Sequence, residues 1–155
     1  MKARGVIFDL DGTLVDNMAL HAQAFAIFVE RHGLPALTEA DRARLDGKRN
    51  RDIFPDIFGR PLEDALLQQY AREKEGLYRE LSRGKLSPVA GLVALLDALE
   101  ARAIPVAIAT SAPPENVAHS LAELGLDARL TRIMRSDEVA RGKPHPDVFL
   151  AAAAL

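Results

Sequence analysis

The stretch Val6-Ile7-Phe8-Asp9-Leu10-Asp11-Gly12 constrains the fold of this chain more than any other. Three consecutive apolar residues leave no side for solvent, which suits a strand buried on both faces, as in a parallel sheet. The run then stops at two carboxylates spaced i and i+2, positions that face the same side of a strand. Gly12 supplies the backbone freedom for a sharp turn directly after them. In open α/β sheets ligands bind beyond the C-terminal ends of the strands, so Asp9 and Asp11 stand where a site is expected.

Residues 17–87 carry no convincing strand. Met18, Ala22, Phe25 and Val29 recur at helical spacing, and Gly33 and Pro35 end that pattern. Thr38 and Asp41 resemble a capping box that opens a second helix. Gly47 breaks it, a third helix is expected over about 50–58, and Gly59 and Pro61 interrupt again. Leu66, Tyr70, Leu77 and Leu81 then stripe a long helix that ends near Gly84.

Residues 88–155 return to alternation. Leu92, Leu95, Leu96 and Leu99 mark a helix, and residues 104–109 read as a second buried strand with Pro105 at its start. Pro113 and Pro114 suit the first turn of a helix ending at Gly125. Leu130 to Met134 is a third strand, and Pro146 opens a last helix. The expected fold is therefore α/β, a parallel sheet core interrupted by an all-helical module. The core would comprise residues 1–16 and 88–155, and the module residues 17–87.

Composition narrows the function classes. Among 155 residues, 20 Lys+Arg against 22 Asp+Glu leave no basic excess to neutralise a nucleic-acid backbone. There is no cysteine, which removes disulfides, thiol nucleophiles and Cys-ligated zinc. The opening apolar stretch runs straight into Asp9 and so does not read as a secretory signal, and Val89 to Leu96 is too short to cross a bilayer. A soluble, cytoplasmic protein without a membrane partner is expected.

The string Asp9-Leu10-Asp11-Gly12-Thr13-Leu14 closely resembles the first motif of the haloacid dehalogenase superfamily of phosphotransferases. Ile108-Ala109-Thr110-Ser111 resembles the second, a hydroxyl residue ending a strand. Gly142-Lys143-Pro144-His145-Pro146-Asp147 resembles the third, which carries a lysine. The helical stretch between the first two is similar to the small cap of the β-phosphoglucomutase-like subgroup. The resemblance implies a Rossmann-like three-layer core with an inserted helical cap, and a Mg²⁺-dependent phosphatase of a small phosphorylated metabolite, plausibly a sugar phosphate. It implies that Asp9 attacks phosphorus to form an aspartyl-phosphate, and that Mg²⁺ sits on an Asp9 oxygen and the Asp11 carbonyl. The Asp11 side chain would protonate the leaving alcohol and then deprotonate water. Thr110 would bind a phosphate oxygen and Lys143 would neutralise Asp9 and phosphate. Gly12, Thr13 and Ser111 join the expected phosphate-binding set. The dehalogenases themselves carry an aromatic residue at the second carboxylate position; Asp11 suits an alcohol leaving group, which needs a proton where a halide does not.

Within the helical stretch, His21 matches by count a histidine that orients the acid/base aspartate in β-phosphoglucomutase-like relatives. Gly47 to Asp52 resembles the cap loop that reaches the active site, with Lys48, Arg49 and Arg51 as candidate anion ligands. Lys74 lies on the apolar face of its helix and matches a substrate-contacting lysine. His32, His119 and His145 show no metal-ligand spacing.

The chain departs from the family at its end. The fourth motif, an acidic pair on a loop after a further strand, is not found before Leu155; Asp137, Glu138 and Asp147 come too early. The expectation is a C-terminally truncated copy of a longer protein, monomeric at full length, whose first strand becomes a sheet edge. Weak Mg²⁺ binding and weak or absent hydrolysis by this piece follow. Alternatives are a phosphoglucomutase, an inactive fragment, and a receiver-like signalling domain, which the helical insertion and the turn after Asp11 disfavour.

Overall fold

A computed structural model describes residues 4–155; residues 1–3 of the expected first core segment lie outside the described residues. The elements run β1 (Val6–Phe8), α1 (Met18–Arg31), α2 (Glu39–Leu45), α3 (Asn50–Phe58), α4 (Asp64–Ser82), α5 (Leu92–Glu100), β2 (Val106–Thr110), α6 (Pro114–Leu124), β3 (Ile133–Arg135) and α7 (Asp147–Ala152). The three strands form one parallel sheet in the order β1-β2-β3, with Val6 opposite Val106 and Ile108 opposite Ile133. Among the described residues β1 is therefore an edge.

Alternation along the central strand makes three layers. Ile108 points into a core shared with Leu10, Leu14, Leu96 of α5 and Val117 and Leu121 of α6. Ala107 and Ala109 point the other way, against Val148 and Ala152 of α7. The two small residues let α7 approach the sheet closely. Pro105 precedes β2 and its carbonyl accepts from the Val6 N–H, so the missing proline N–H costs no ladder bond. A separate core gathers Phe28, Phe54, Leu77 and Tyr78 from α1, α3 and α4.

The Thr38–Asp41 capping box is present in both directions at the start of α2. Two sequence expectations shift. The third strand starts at Ile133 rather than Leu130, because residues 126–130 close a helical turn in which Leu130 N–H donates to Leu126 O, burying Leu130 from a loop. Leu95 does not join the stripe of α5: it is 45% exposed, and Leu92, Leu96 and Leu99 form the buried face at i, i+4 and i+7. No helix among the described residues is long and apolar enough to cross a membrane.

Candidate active site

The site opens at the C-terminal ends of β1 and β2. Past Phe8 the chain turns at once: the N–H groups of Thr13 and Leu14 both bond to Leu10 O, and Gly12 N–H bonds to Val15 O. Gly12 sits at φ +70°, and a Cβ there would stand 3.1 Å from Met18 Cγ. The turn is thus both left-handed and crowded, which requires glycine. It anchors Leu10 and Leu14 in the core and leaves Asp9 and Asp11 facing the strand ends.

Lys143, from the loop before α7, places its ammonium 2.7 Å from Asp9 Oδ1 and also donates to Ala109 O on β2. Asp9 Oδ1 accepts from Leu10 N–H as well, while Oδ2 takes no hydrogen bond among the described residues. One carboxylate oxygen is held and the other is free.

Asp11 has different surroundings. Asn17 Nδ2 donates to Asp11 Oδ1 at 2.6 Å and to the Tyr78 hydroxyl at 2.6 Å, while its Oδ1 accepts from Gly12 N–H. The His21 ring stacks on Tyr78 with centroids 3.8 Å apart. The Lys74 ammonium can only donate, so His21 Nδ1, 3.0 Å away, accepts and the ring proton sits on Nε2. That Nε2 is buried without a hydrogen-bond partner and faces Asp11 Oδ1 at 3.6 Å, too long for a bond. Burial, the largest influence, pushes the Asp11 carboxyl up; His21, Asn17 and the Lys74 charge together outweigh it and hold the group below its ordinary value.

A cavity of about 370 Å³ connects these groups. Of the residues singled out from the sequence, Asp9, Asp11, Gly12, His21, Lys74, Ser111 and Lys143 line it. Four others do not. The Thr110 hydroxyl is buried and accepts from Ala112 N–H, and Thr13 is exposed in the turn. Arg49 and Arg51 line a neighbouring cavity. Arg49 is bound to Asp52 and to the carbonyls of Ser136 and Ala140, lying against Gly142, where an added Cβ would stand 2.6 Å from Nε. Lys48, from the same loop, does line the central cavity. Ser111 Oγ donates to Gly47 O, tying this loop to the end of β2.

Sequence reading missed Asn17, Asn50, Glu75, Tyr78 and Asn116. Glu75 accepts from Asn50 Nδ2, Lys74 Nζ and Asn116 Nδ2 at 2.6–3.1 Å. These buried and half-buried polar groups come from the N-cap of α1 and from α3, α4 and α6, and meet only in the fold. Asn17 carried a signal: it occupies the N-cap of α1, yet makes no side-chain cap bond because its Oδ1 accepts from Gly12 N–H instead.

The donor set bears on a divalent ion. Among the described residues the Asp11 main-chain carbonyl accepts no hydrogen bond, and Asp9 Oδ2 is likewise open. These are hard oxygens of the kind Mg²⁺ prefers, and that ion commonly keeps several waters. Among the described residues no cluster of three or more His, Asp or Glu could enclose a metal. The residues present fit Mg²⁺ as a partial, water-completed ligand set.

A family model, "Haloacid dehalogenase-like hydrolase", matches residues 6–154. The chain is 32% identical to hexitol phosphatase A of Escherichia coli, aligning over 100% of this chain and 69% of that protein. It is 30% identical to a phosphoglycolate phosphatase of Shigella boydii, over 97% and 68%. With the chloroplastic 5-amino-6-(5-phospho-D-ribitylamino)uracil phosphatase of Arabidopsis thaliana it shares 25% identity over 97% of this chain but 41% of that one. Among solved structures, a hydrolase from Pseudomonas syringae superposes with TM-score 0.85 at 28% identity, covering 97% and 69%. The β-phosphoglucomutase of Clostridium difficile gives 0.86 at 22% identity, covering 99% and 70%, a likeness of fold. The chain belongs to the haloacid dehalogenase-like hydrolases.

Proposed function

We propose that the chain carries the phosphoryl-transfer centre of a Mg²⁺-dependent phosphatase that acts on a small phosphorylated metabolite, a sugar phosphate, through an aspartyl-phosphate. The observation that carries this reading is the contrast between the two carboxylates. Asp9 has one oxygen bound by Lys143 and the other open, as a nucleophile needs. Asp11 has Asn17 and His21 beside it on the same cavity wall, as an acid/base needs for a fixed direction of proton transfer. The relatives support the class: the three curated proteins named above are phosphatases.

Asp9 attacks phosphorus through one carboxylate oxygen, the phosphorus–oxygen bond to the alcohol breaks, and the departing oxygen takes a proton from Asp11. Water then attacks the acyl phosphate and gives its proton to Asp11, releasing orthophosphate and restoring Asp9. The resting Asp11 is ionised, the form suited to the second half. The approaching phosphate dianion raises its proton affinity, and Asp11 takes up from solvent the proton it delivers in the first half. Lys143 offsets the negative charge shared by Asp9 and the transferred group. When bound, Mg²⁺ would be held by Asp9 and the Asp11 carbonyl and would lessen the repulsion between the two anions. Segment 17–87 acts as a cap over a core of 1–16 and 88–155, with α4 supplying Lys74 to the shared cavity.

A panel of phosphate esters assayed with and without Mg²⁺, on the wild-type chain and Asp9→Asn, tests this. Orthophosphate release that requires both Mg²⁺ and Asp9 is expected. Release that persists in Asp9→Asn would sink it, and transfer to a second sugar hydroxyl in place of water would convert the reading to a mutase.

A further inference from the structure

Resting on the phosphohydrolase reading, we infer that Glu75 makes the cavity selective for esters whose leaving group is neutral and hydroxyl-bearing, and against esters carrying a second anionic group. Glu75 is buried on α4 yet lines the cavity that holds Asp9. Its Oε1 accepts from both Asn50 Nδ2 at 2.8 Å and Lys74 Nζ at 3.1 Å, which fills that oxygen. Its Oε2 accepts only from Asn116 Nδ2, at 2.6 Å. Among the described residues this leaves acceptor capacity on Oε2 of a side chain that lines the cavity, to which a sugar or alditol hydroxyl can donate. The group stays ionised: burial opposes the charge, but the Lys74 ammonium and the Asn50 amide hold the carboxyl below its usual value.

Two of the three ammoniums along the wall, those of Lys74 and Lys143, are already committed. Lys74 directs its three protons at His21 Nδ1, at Glu75 Oε1 and over the face of Phe25, 4.3 Å from the ring centroid. Lys143 is held by Asp9 and Ala109 O. Lys48 makes no side-chain hydrogen bond among the described residues; its ammonium stands 3.8 Å from Asp56, and Asp46 shares its loop. Four carboxylates, Asp9, Asp11, Asp46 and Glu75, face three ammoniums across the cavity. The transferred phosphoryl group draws on what positive charge there is. A second anion placed against Glu75 would be desolvated beside a fixed carboxylate whose adjoining ammonium, Lys74, is already bound, which is costly. A hydroxyl meets an open charged acceptor, among the stronger hydrogen bonds available. Phe25 and Ile53 give the carbon chain an apolar wall.

The test measures binding by calorimetry on the Asp9→Asn chain, which leaves esters intact, with Mg²⁺ present. The probes are glucitol 6-phosphate, 2-phosphoglycolate, glucose 1,6-bisphosphate and inorganic phosphate. Glucitol 6-phosphate is expected to bind about tenfold or more tightly than each of the others. Glu75→Gln should lower its affinity about tenfold and raise that of 2-phosphoglycolate. Glu75→Asp keeps the charge at a shorter reach, so it should lose the glucitol preference while still rejecting 2-phosphoglycolate. Thermal melts identify any variant that has unfolded, and the wild-type-side ranking of probes stands without them. Equal or tighter binding of 2-phosphoglycolate or the bisphosphate overturns the inference, as does an unchanged ranking in a folded Glu75→Gln chain. Phosphate and all esters binding alike would sink selectivity and leave the phosphohydrolase reading intact; no binding of any probe would sink both.

Discussion

The His21 imidazole lies flat on the Tyr78 ring, 3.8 Å between centroids and 5° between planes. The Tyr78 hydroxyl is at the same time bonded to Asn17 and lies 3.3 Å from Ser120 Oγ on α6. One side chain of α4 thus braces both neighbours of Asp11 and ties them to a helix that flanks the sheet. Tyr78→Phe keeps the stack and removes the hydroxyl; it should cost about 1–2 kcal/mol, the price of leaving buried partners short of a bond. Tyr78→Ala also removes the ring and should cost about 3–5 kcal/mol. Urea denaturation of the three chains measures both, and equal losses would show that the hydroxyl alone matters.

Lys143 gives a second prediction. Its ammonium is 2.7 Å from Asp9 Oδ1 and within hydrogen-bond reach of Ala109 O. Lys143→Ala should lower kcat about 10²–10³-fold on any ester the wild-type chain hydrolyses, because a charge aimed at the reacting group is lost. Lys143→Arg restores charge without the compact geometry, and should recover only part of the rate. Steady-state kinetics decide, and an unchanged kcat in the alanine variant would remove Lys143 from the reaction.

How much of this was legible beforehand depends on whether a signal was local. Phe8 to Gly12, the Thr38 cap, the boundaries of α3 and the Pro113–Gly125 frame of α6 are set by neighbours in sequence, and the structure places each there. Asp9 and Lys143 were found through motif strings 134 positions apart in sequence number, yet their 2.7 Å contact is a product of the parallel sheet. Glu75 and Asn116 gave no pattern, since a carboxylate on α4 and an amide on α6 look like ordinary surface residues until the helices meet. Leu130 misled because apolar character marks burial, which a tight loop can supply as well as a strand.

The same Glu75 predicts an acid response. In the folded chain its carboxyl is held below the ordinary value of 4.5, against the opposing effect of burial, chiefly by Lys74. A depressed folded-state value means that the unfolded chain binds the proton more readily. The stabilisation is therefore complete above the unfolded value and is lost as pH falls through the lower folded one. His119, also held below its ordinary 6.5 chiefly by burial, acts in the same direction at higher pH: stability falls as pH drops below 6.5. Melting curves from pH 7 to pH 3 should fall in two stages, His119→Gln removing the upper one and Glu75→Gln flattening the lower. A lower stage unchanged in Glu75→Gln would show that the carboxyl is not ionised in the fold.

Gly12 allows the turn after β1 to be taken apart into its two demands. The left-handed φ of +70° is one, and the 3.1 Å approach of Met18 Cγ to any added Cβ is the other. Gly12→Ala meets both and should lose about 1–2 kcal/mol from the backbone conformation alone, with a further increment from the clash. Met18 ends in a flexible chain, so Met18→Ala clears the second demand and leaves the first. The double variant should then be less destabilised than the sum of the two single changes, a coupling expected of residues in contact. Gly12→Asn tests the first demand separately, because asparagine tolerates the left-handed region better than alanine. If stability is the only thing lost, hydrolysis by the folded fraction stays at the wild-type level. Since the same turn carries Asp9 and Asp11 between β1 and α1, the expected result is a fall in kcat beyond the fraction unfolded, measured as activity per folded molecule.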